Sequence, residues 1–210
     1  MKDVHQKLYW FLKEKHAQQF FENGQMYFGH CSRYEDASLT VAQRDSESCR
    51  RASFKSTEMR LWSGKSVADA IEVPFTSADF SCELPDYFLR SLSIECRPKM
   101  LSDLGAQVVI EFSDVTRFFA SIDDALSKQH STGAWEVTKR QVRYVSKQEL
   151  LGVYGTTDRM FVKERSAYRA QAEFRITLLP KHNFPAKKAS HIFLYLEGVS
   201  QFAKLSKRGI

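Results

Sequence analysis

Glycine is scarce in this sequence, with nine in 210 residues, and none of them completes G-x-x-x-x-G-K-[ST], G-x-G-x-x-G or G-x-S-x-G. A P-loop, a dinucleotide-binding turn and a nucleophile elbow are therefore excluded. The four cysteines, Cys31, Cys49, Cys82 and Cys96, form no C-x-x-C pair, and the six histidines form no H-x-x-x-H pair. No zinc signature results, so the expectation is reduced thiols and no metal. No apolar run approaches the roughly 18 residues of a membrane-spanning helix. The opening MKDVHQKLYWFLKEKH is charged throughout and lacks the apolar centre of a signal peptide. The reading is a cytoplasmic protein without a membrane partner.

What the sequence does contain is enough for a core. Hydrophobic residues make up 43%, including 16 Phe and 8 Tyr, which argues against disorder. The length suits one domain spanning 1–210, with a long polar loop or insertion at about 36–66. Net charge is +6, which favours acidic partners, nucleic acid first.

Periodicity predicts the elements. LYWFL (8–12) reads as a buried strand. KEKHAQQFFENG places Ala17, Phe20 and Phe21 on one helical face and stops at Gly24. QMYFGH continues as a second strand that breaks into a polar loop. Residues 36–60 read as a long loop or a loosely held helix, and ADAIEVPF (68–75) as a strand. DYFLRSLSIECR (86–97) and AQVVIEF (106–112) are further strands. SDVTRFFASIDDALSKQHSTG carries an apolar stripe of Val115, Phe118, Phe119, Ile122 and Leu126, with Ser113 or Asp114 as its cap. WEVTKRQVRYVS (135–146), EFRITLL and HIFLYLEG (191–198) are strands, and SQFAKL reads as a short final helix. The class is α+β, with a mostly antiparallel sheet and flanking helices.

Polar residues inside apolar strands carry the candidate chemistry. Gln171 and Glu173 are two apart, which places both on one face of an extended segment. Either they serve one reaction, or Glu173 forms an ion pair with Arg175 or Arg169. Ser91 and Ser93 repeat the same spacing. Arg33 and Arg44 sit at a strand end and in the polar loop, where guanidinium forks suit pyrophosphate or simply face solvent. Tyr9 and Tyr27 offer rings for stacking. Lys139, Arg140 and Arg143 on one strand, with Arg50 and Arg51 in the loop, are the basic candidates for a nucleic-acid backbone.

An arginine near an early strand, then S-x-S, then Q-x-E heading a late strand resembles the Arg/Ser-Thr-Ser/Glu class of ADP-ribosyltransferases. The resemblance implies an ADP-ribosyltransferase-like split β-sheet with NAD as substrate. It implies that Arg33 or Arg44 binds NAD phosphate and that Ser91 and Ser93 shape the nicotinamide pocket. It gives Glu173 the oxocarbenium-stabilising role and Gln171 the choice of acceptor, an amide or nucleobase. Leu92 stands where that class has Thr, and LYWFL carries no Arg or His.

The stretches FLKEKHAQQFFENGQMYFG, QRDSES, VVIEFSDVTRFF, FVKERSAYRAQAEFRITL and FLYLEGVSQFA also resemble a group of bacterial proteins found among phage-defence genes. Toxins of chaperone-linked toxin–antitoxin systems, which ADP-ribosylate messenger RNA, belong to that neighbourhood. The implied function is an NAD-dependent toxin or antiviral effector modifying RNA, with an antitoxin or chaperone as protein partner. The alternatives are a non-catalytic nucleic-acid- or partner-binding protein on the same fold, and a nuclease, which needs clustered carboxylates or a histidine pair, whereas Asp123 and Asp124 sit on a helix and read as solvated.

Overall fold

The structure is a computed structural model that describes residues 7–35, 49–55, 61–63, 71–74, 76–83, 86–130, 133–146, 160–181 and 189–206. The chain divides into two compact units, Met1–Glu47 with Pro85–Ile210, and Ser48–Leu84. The class is α+β, with a large antiparallel sheet.

The smaller unit holds β3 (Cys49–Lys55), β4 (Leu61–Ser63), β5 (Ile71–Val73) and β6 (Ser77–Glu83). β3 pairs antiparallel with β6, and β4 with β5. The loop or loose helix expected at 36–60 is thus corrected at 49–55, which is a strand. Its polar composition hid the cross-strand partner that makes it one. Of the strand expected at 68–75, Ile71–Val73 is a strand, and positions 68–70 and 75 lie outside the described residues.

The larger unit begins with β1 (Leu8–Leu12), α1 (Glu14–Asn23) and β2 (Gln25–His30), followed by a 3-10 turn at Cys31–Glu35. After the smaller unit come β7 (Phe88–Ser93), α2 (Pro98–Asp103), β8 (Val108–Phe112) and α3 (Val115–Gln129). β9 (Trp135–Gln141), β10 (Arg143–Val145), β11 (Val162–Glu164) and the short α4 (Arg165–Tyr168) lead to a 3-10 turn at Arg169–Gln171. β12 (Glu173–Pro180), β13 (His191–Tyr195), a 3-10 turn at Val199–Gln201 and β14 (Ala203–Ser206) close the chain.

Eight strands form the main sheet in the order β13-β2-β7-β1-β8-β14, with β12 between β7 and β9. β12 pairs with β7 from Glu173↔Ser93 to Leu178↔Phe88, filling one edge of β7. The other edge is shared. β2 pairs there at Gly29↔Leu89 and His30↔Phe88, and β1 at Tyr9↔Ser93. Between these contacts the sheet opens, and Arg90 bridges the gap. Its Nε donates to the Tyr27 carbonyl at 2.6 Å, and its guanidinium carbon lies 4.8 Å from the Trp10 ring centroid.

The face carrying Trp10, Phe28, Phe112, Phe174, Ile176 and Leu178 forms the core with α1 and α3. Phe112 joins both helices: its ring stacks on Phe118 at 4.0 Å and meets Phe20 edge-on at 5.9 Å. Asp114 caps α3 by accepting from the Arg117 amide at 2.9 Å, so of the two expected caps Asp114 is used. Gly24 ends α1 at φ 69°, and a Cβ there would sit 1.9 Å from the Leu196 carbonyl oxygen. Only glycine meets both conditions.

Two other boundaries differ from the sequence reading. SQFAKL is not a helix: after one 3-10 turn, Ala203–Ser206 extends along β8 as an edge strand. Six residues do not repay helix nucleation, whereas a free sheet edge offers a hydrogen bond at every second residue. The strand expected over 135–146 breaks at Val142, whose amide donates to the Glu173 carbonyl. Beyond the break, β10 leaves the main sheet and pairs parallel with β11. Among the described residues no helix is long and apolar enough to cross a membrane.

A candidate functional site at the β7–β12 seam

The two faces of β12 are both buried, for different reasons. Phe174, Ile176 and Leu178 enter the core. Glu173, Arg175 and Thr177 face the other way and are still only 3%, 1% and 2% exposed. A charged side chain is rarely so enclosed unless it is paired, and Glu173 and Arg175 pair with each other.

Glu173 Oε1 accepts from Ser91 Oγ at 2.5 Å and from Arg175 Nε at 2.7 Å. Lys163 Nζ lies 3.0 Å from Oε2, close enough for an ion pair but not aligned as a hydrogen bond. Arg175 Nη1 donates to the Met160 carbonyl at 2.6 Å, which ties the seam to the segment leading into β11. Burial pushes the Glu173 carboxyl upward. The charges of Arg175 and Lys163, with the hydrogen bonds from Arg175 and Ser91, outweigh it and lower the carboxyl to about 2. The Glu173 amide donates to Tyr144 Oη at 2.8 Å. Burial and the neighbouring Glu173 charge push the Tyr144 phenol up.

Ser93 serves a different purpose from Ser91. Its hydroxyl donates to the carbonyls of Gln171 and Ala172, at 2.8 and 3.2 Å. Those residues are not in the strand. Arg169–Gln171 form a 3-10 turn, and Ala172 is left-handed at φ 44°, ψ 49°. The expectation that Gln171 shares the Glu173 face through period-two alternation is therefore corrected. The alternation begins at Glu173, and Gln171 reaches the same end of the seam through a turn. A left-handed alanine costs about 1–2 kcal/mol, and the Ser93 hydroxyl and the Ala172 carbonyl's bond to the Ile94 amide help to hold it.

The pairing registers bring several expected cofactor residues to one sheet face. Tyr9 is opposite Ser93, and Arg175 is opposite Ser91. Tyr27 keeps the phase of Gly29, which pairs with Leu89, so it shares that face from beyond the opening. Its ring stacks on His191 at 5.3 Å, and Arg33 hydrogen-bonds the Tyr27 hydroxyl while its guanidinium lies 5.0 Å from the ring. Arg44 lies outside the described residues. Arg50 and Arg51 belong to β3, opposite Cys82 and Ser81.

The basic trio divides. Alternation turns Lys139 toward α3, where Nζ lies 2.6 Å from the Asp123 carboxylate and donates to the Phe119 carbonyl at 3.2 Å. Arg140 points to the opposite face, exposed, with its guanidinium 5.8 Å from the Phe161 ring. Arg143 starts β10. The expectation of three cations on one strand is corrected by the break at Val142, and within β9 the strand's period sends Lys139 and Arg140 to opposite faces. Asp123 and Asp124 are likewise occupied, by Lys139 and Lys128.

A cleft of about 540 Å³ opens beside Tyr144, lined by Gln141, Val142, Arg143, Tyr144, Arg165 and Arg169. Arg165 is held in it by donating to the Tyr144 carbonyl from Nη2 at 3.2 Å. Lys163, Tyr144 and Arg165 were not singled out from sequence. The signal for Lys163 and Arg165 was present as KERSAYR, three cations in the seven residues just before the Q-x-E segment.

At the far end of β7, His30, Cys31 and Asp86 bring possible ligand atoms within 4.8 Å of one another. The Ser32 amide donates to His30 Nδ1 at 3.3 Å, and Nε2 lies 3.4 Å from Asp86 Oδ1. The trio reads as an oriented histidine.

No protein-family model matches this chain, nor does any curated protein or solved structure.

Proposed function

We propose that this chain is an NAD-dependent ADP-ribosyltransferase-type effector, a toxin or antiviral factor modifying nucleic acid, with its reaction centre at the Glu173 end of the β7–β12 seam. The observation that supports it is the Ser91–Glu173 hydrogen bond, which joins the S-x-S strand to the Q-x-E glutamate. In such a reaction nicotinamide leaves with the bonding electron pair and the ribose becomes cationic. A carboxylate fixed on a strand end lowers that barrier if it acts on the charge as it develops. Ser91 orients Glu173, Ser93 fixes the turn that carries Gln171, and Tyr9, Tyr27 and Arg33 supply rings and a cation for the dinucleotide.

A second reading draws on the enclosure of Glu173. A carboxylate already paired with Arg175 and Lys163 serves as a tie between β12 and β11. The chain is then a non-catalytic binding protein whose working surface is the arginine cleft.

Incubation with labelled NAD and RNA, DNA or cell lysate separates the two. The transferase reading expects label on an acceptor and a rise in melting temperature with millimolar NAD that Arg33→Ala reduces. No label on any acceptor, with a melting temperature indifferent to NAD, leaves the binding protein.

A further inference from the structure

We infer that the cleft lined by Arg143, Tyr144, Arg165 and Arg169 binds the phosphodiester backbone of a single-stranded polynucleotide. Three guanidinium groups enter this cleft from two segments, held together by the parallel β10–β11 pairing at Arg143↔Val162 and Tyr144↔Lys163. Arg143 and Arg169 are exposed and have no ion-pair partner among the described residues. Arg165 is anchored through the Tyr144 carbonyl. The nearby carboxylate of Glu164 is turned to the Ser166 hydroxyl.

Three like charges in a cleft whose lining residues include no carboxylate repel one another, and a bound anion relieves that repulsion. Guanidinium forks match phosphate oxygens in pairs. Tyr144 also lines the cleft, with its hydroxyl accepting from the Glu173 amide and its carbonyl from Arg165. Duplex reading needs a helix or ribbon that enters a groove, and among the described residues no such element lines the cleft. Arg140 lies close by in sequence, exposed on Phe161, and extends the positive surface.

The inference shares with the transferase reading only the class of partner. Binding is measured without NAD, so loss of transfer and loss of binding are read separately. Fluorescence anisotropy of a single-stranded RNA 12-mer, taken between about 50 and 200 mM salt, gives affinity and salt slope. At about 0.7 of slope per phosphate contact in single strands, three arginines give a slope near −2. Arg143→Glu with Arg169→Glu is expected to weaken binding at least ~10-fold and to flatten the slope by about 1.4. Lys128→Glu, on α3, is expected to leave both unchanged. If charge reversal prevents folding, Arg143→Gln with Arg169→Gln reports the same loss in slope. Unchanged affinity and slope in the folded double variant overturn the inference. So does AMP displacing the oligonucleotide at equal concentration of nucleotide units, which makes this a mononucleotide site, and so does tighter binding of a duplex.

Discussion

Ser91 and Glu173 stand 82 positions apart in sequence and share a hydrogen bond of 2.5 Å. Register explains the contact. Ser91 is directly opposite Arg175, and Glu173 is its diagonal neighbour, so hydroxyl and guanidinium converge on one carboxylate oxygen. From sequence, Glu173→Gln reads as a near-isosteric change that spares folding. The structure reverses that expectation, because Arg175 and Lys163 lose their buried counter-charge. The expected cost is about 3–5 kcal/mol in urea unfolding. Ser91→Ala keeps the ion pairs and removes one charge-assisted bond, at about 1.5–3 kcal/mol. If the seam is catalytic, Ser91→Ala also lowers transfer at a temperature where the variant is fully folded. A Glu173→Gln cost below ~1 kcal/mol would falsify the buried-pair account.

The same cluster makes stability depend on pH in a stated direction. The Glu173 carboxyl is lowered from 4.5 to about 2 in the folded protein. A depressed carboxyl stabilises the fold above its unfolded value, and this contribution disappears as pH falls from about 4.5 through about 2. The difference corresponds to about 3 kcal/mol. Carbon-13 titration of the Glu173 carboxyl checks the assignment directly. A midpoint near 4.5 in the folded state would remove this source of acid lability.

How far the sequence could be read differs by element. β1, α1, β12 and α3 were legible because their apolar spacing and caps are local facts. β3 and β14 were not, because each is a strand by virtue of a partner far along the chain. At the site, S-x-S and Q-x-E were visible as patterns, and register brought Ser91 to Glu173. The enclosure of Glu173 was not visible. Alternation marked its face as polar, and polar faces are ordinarily solvated; in the structure Lys163 reaches Glu173 and the Met160 carbonyl reaches Arg175 on that face. The 3-10 turn that takes Gln171 off the strand is a backbone event at Ala172, a residue type that gives no warning of a positive φ.

The core face of β12 yields a simpler expectation. Phe174 stacks on Phe119 of α3, with ring centroids 5.7 Å apart and planes 18° from parallel. Phe174→Ala removes that contact and leaves a cavity between sheet and helix. The expected loss is roughly 3–5 kcal/mol in chemical denaturation. A loss under ~1 kcal/mol would mean that α3 collapses into the gap or that the face is wetter than its burial indicates.

Lys139 offers the sharpest contrast with the sequence reading, which grouped it with Arg140 and Arg143. Its ammonium lies 2.6 Å from the Asp123 carboxylate and 5.2 Å from the Phe119 ring centroid. Most of the lysine is covered, whereas Asp123 is largely exposed, so solvent screens the pair and a coupling of about 0.5–1 kcal/mol is expected. A double-mutant cycle with Lys139→Met and Asp123→Ala isolates this term. The polynucleotide experiment then acquires an internal control. Lys139 is held by α3 and does not line the cleft, so Lys139→Met is expected to change RNA affinity less than twofold, while Arg143→Gln weakens it severalfold. If Lys139→Met instead weakens binding as much as Arg143→Gln does, the nucleic acid lies along β9, and the three-cation strand read from the sequence is the better description of the surface.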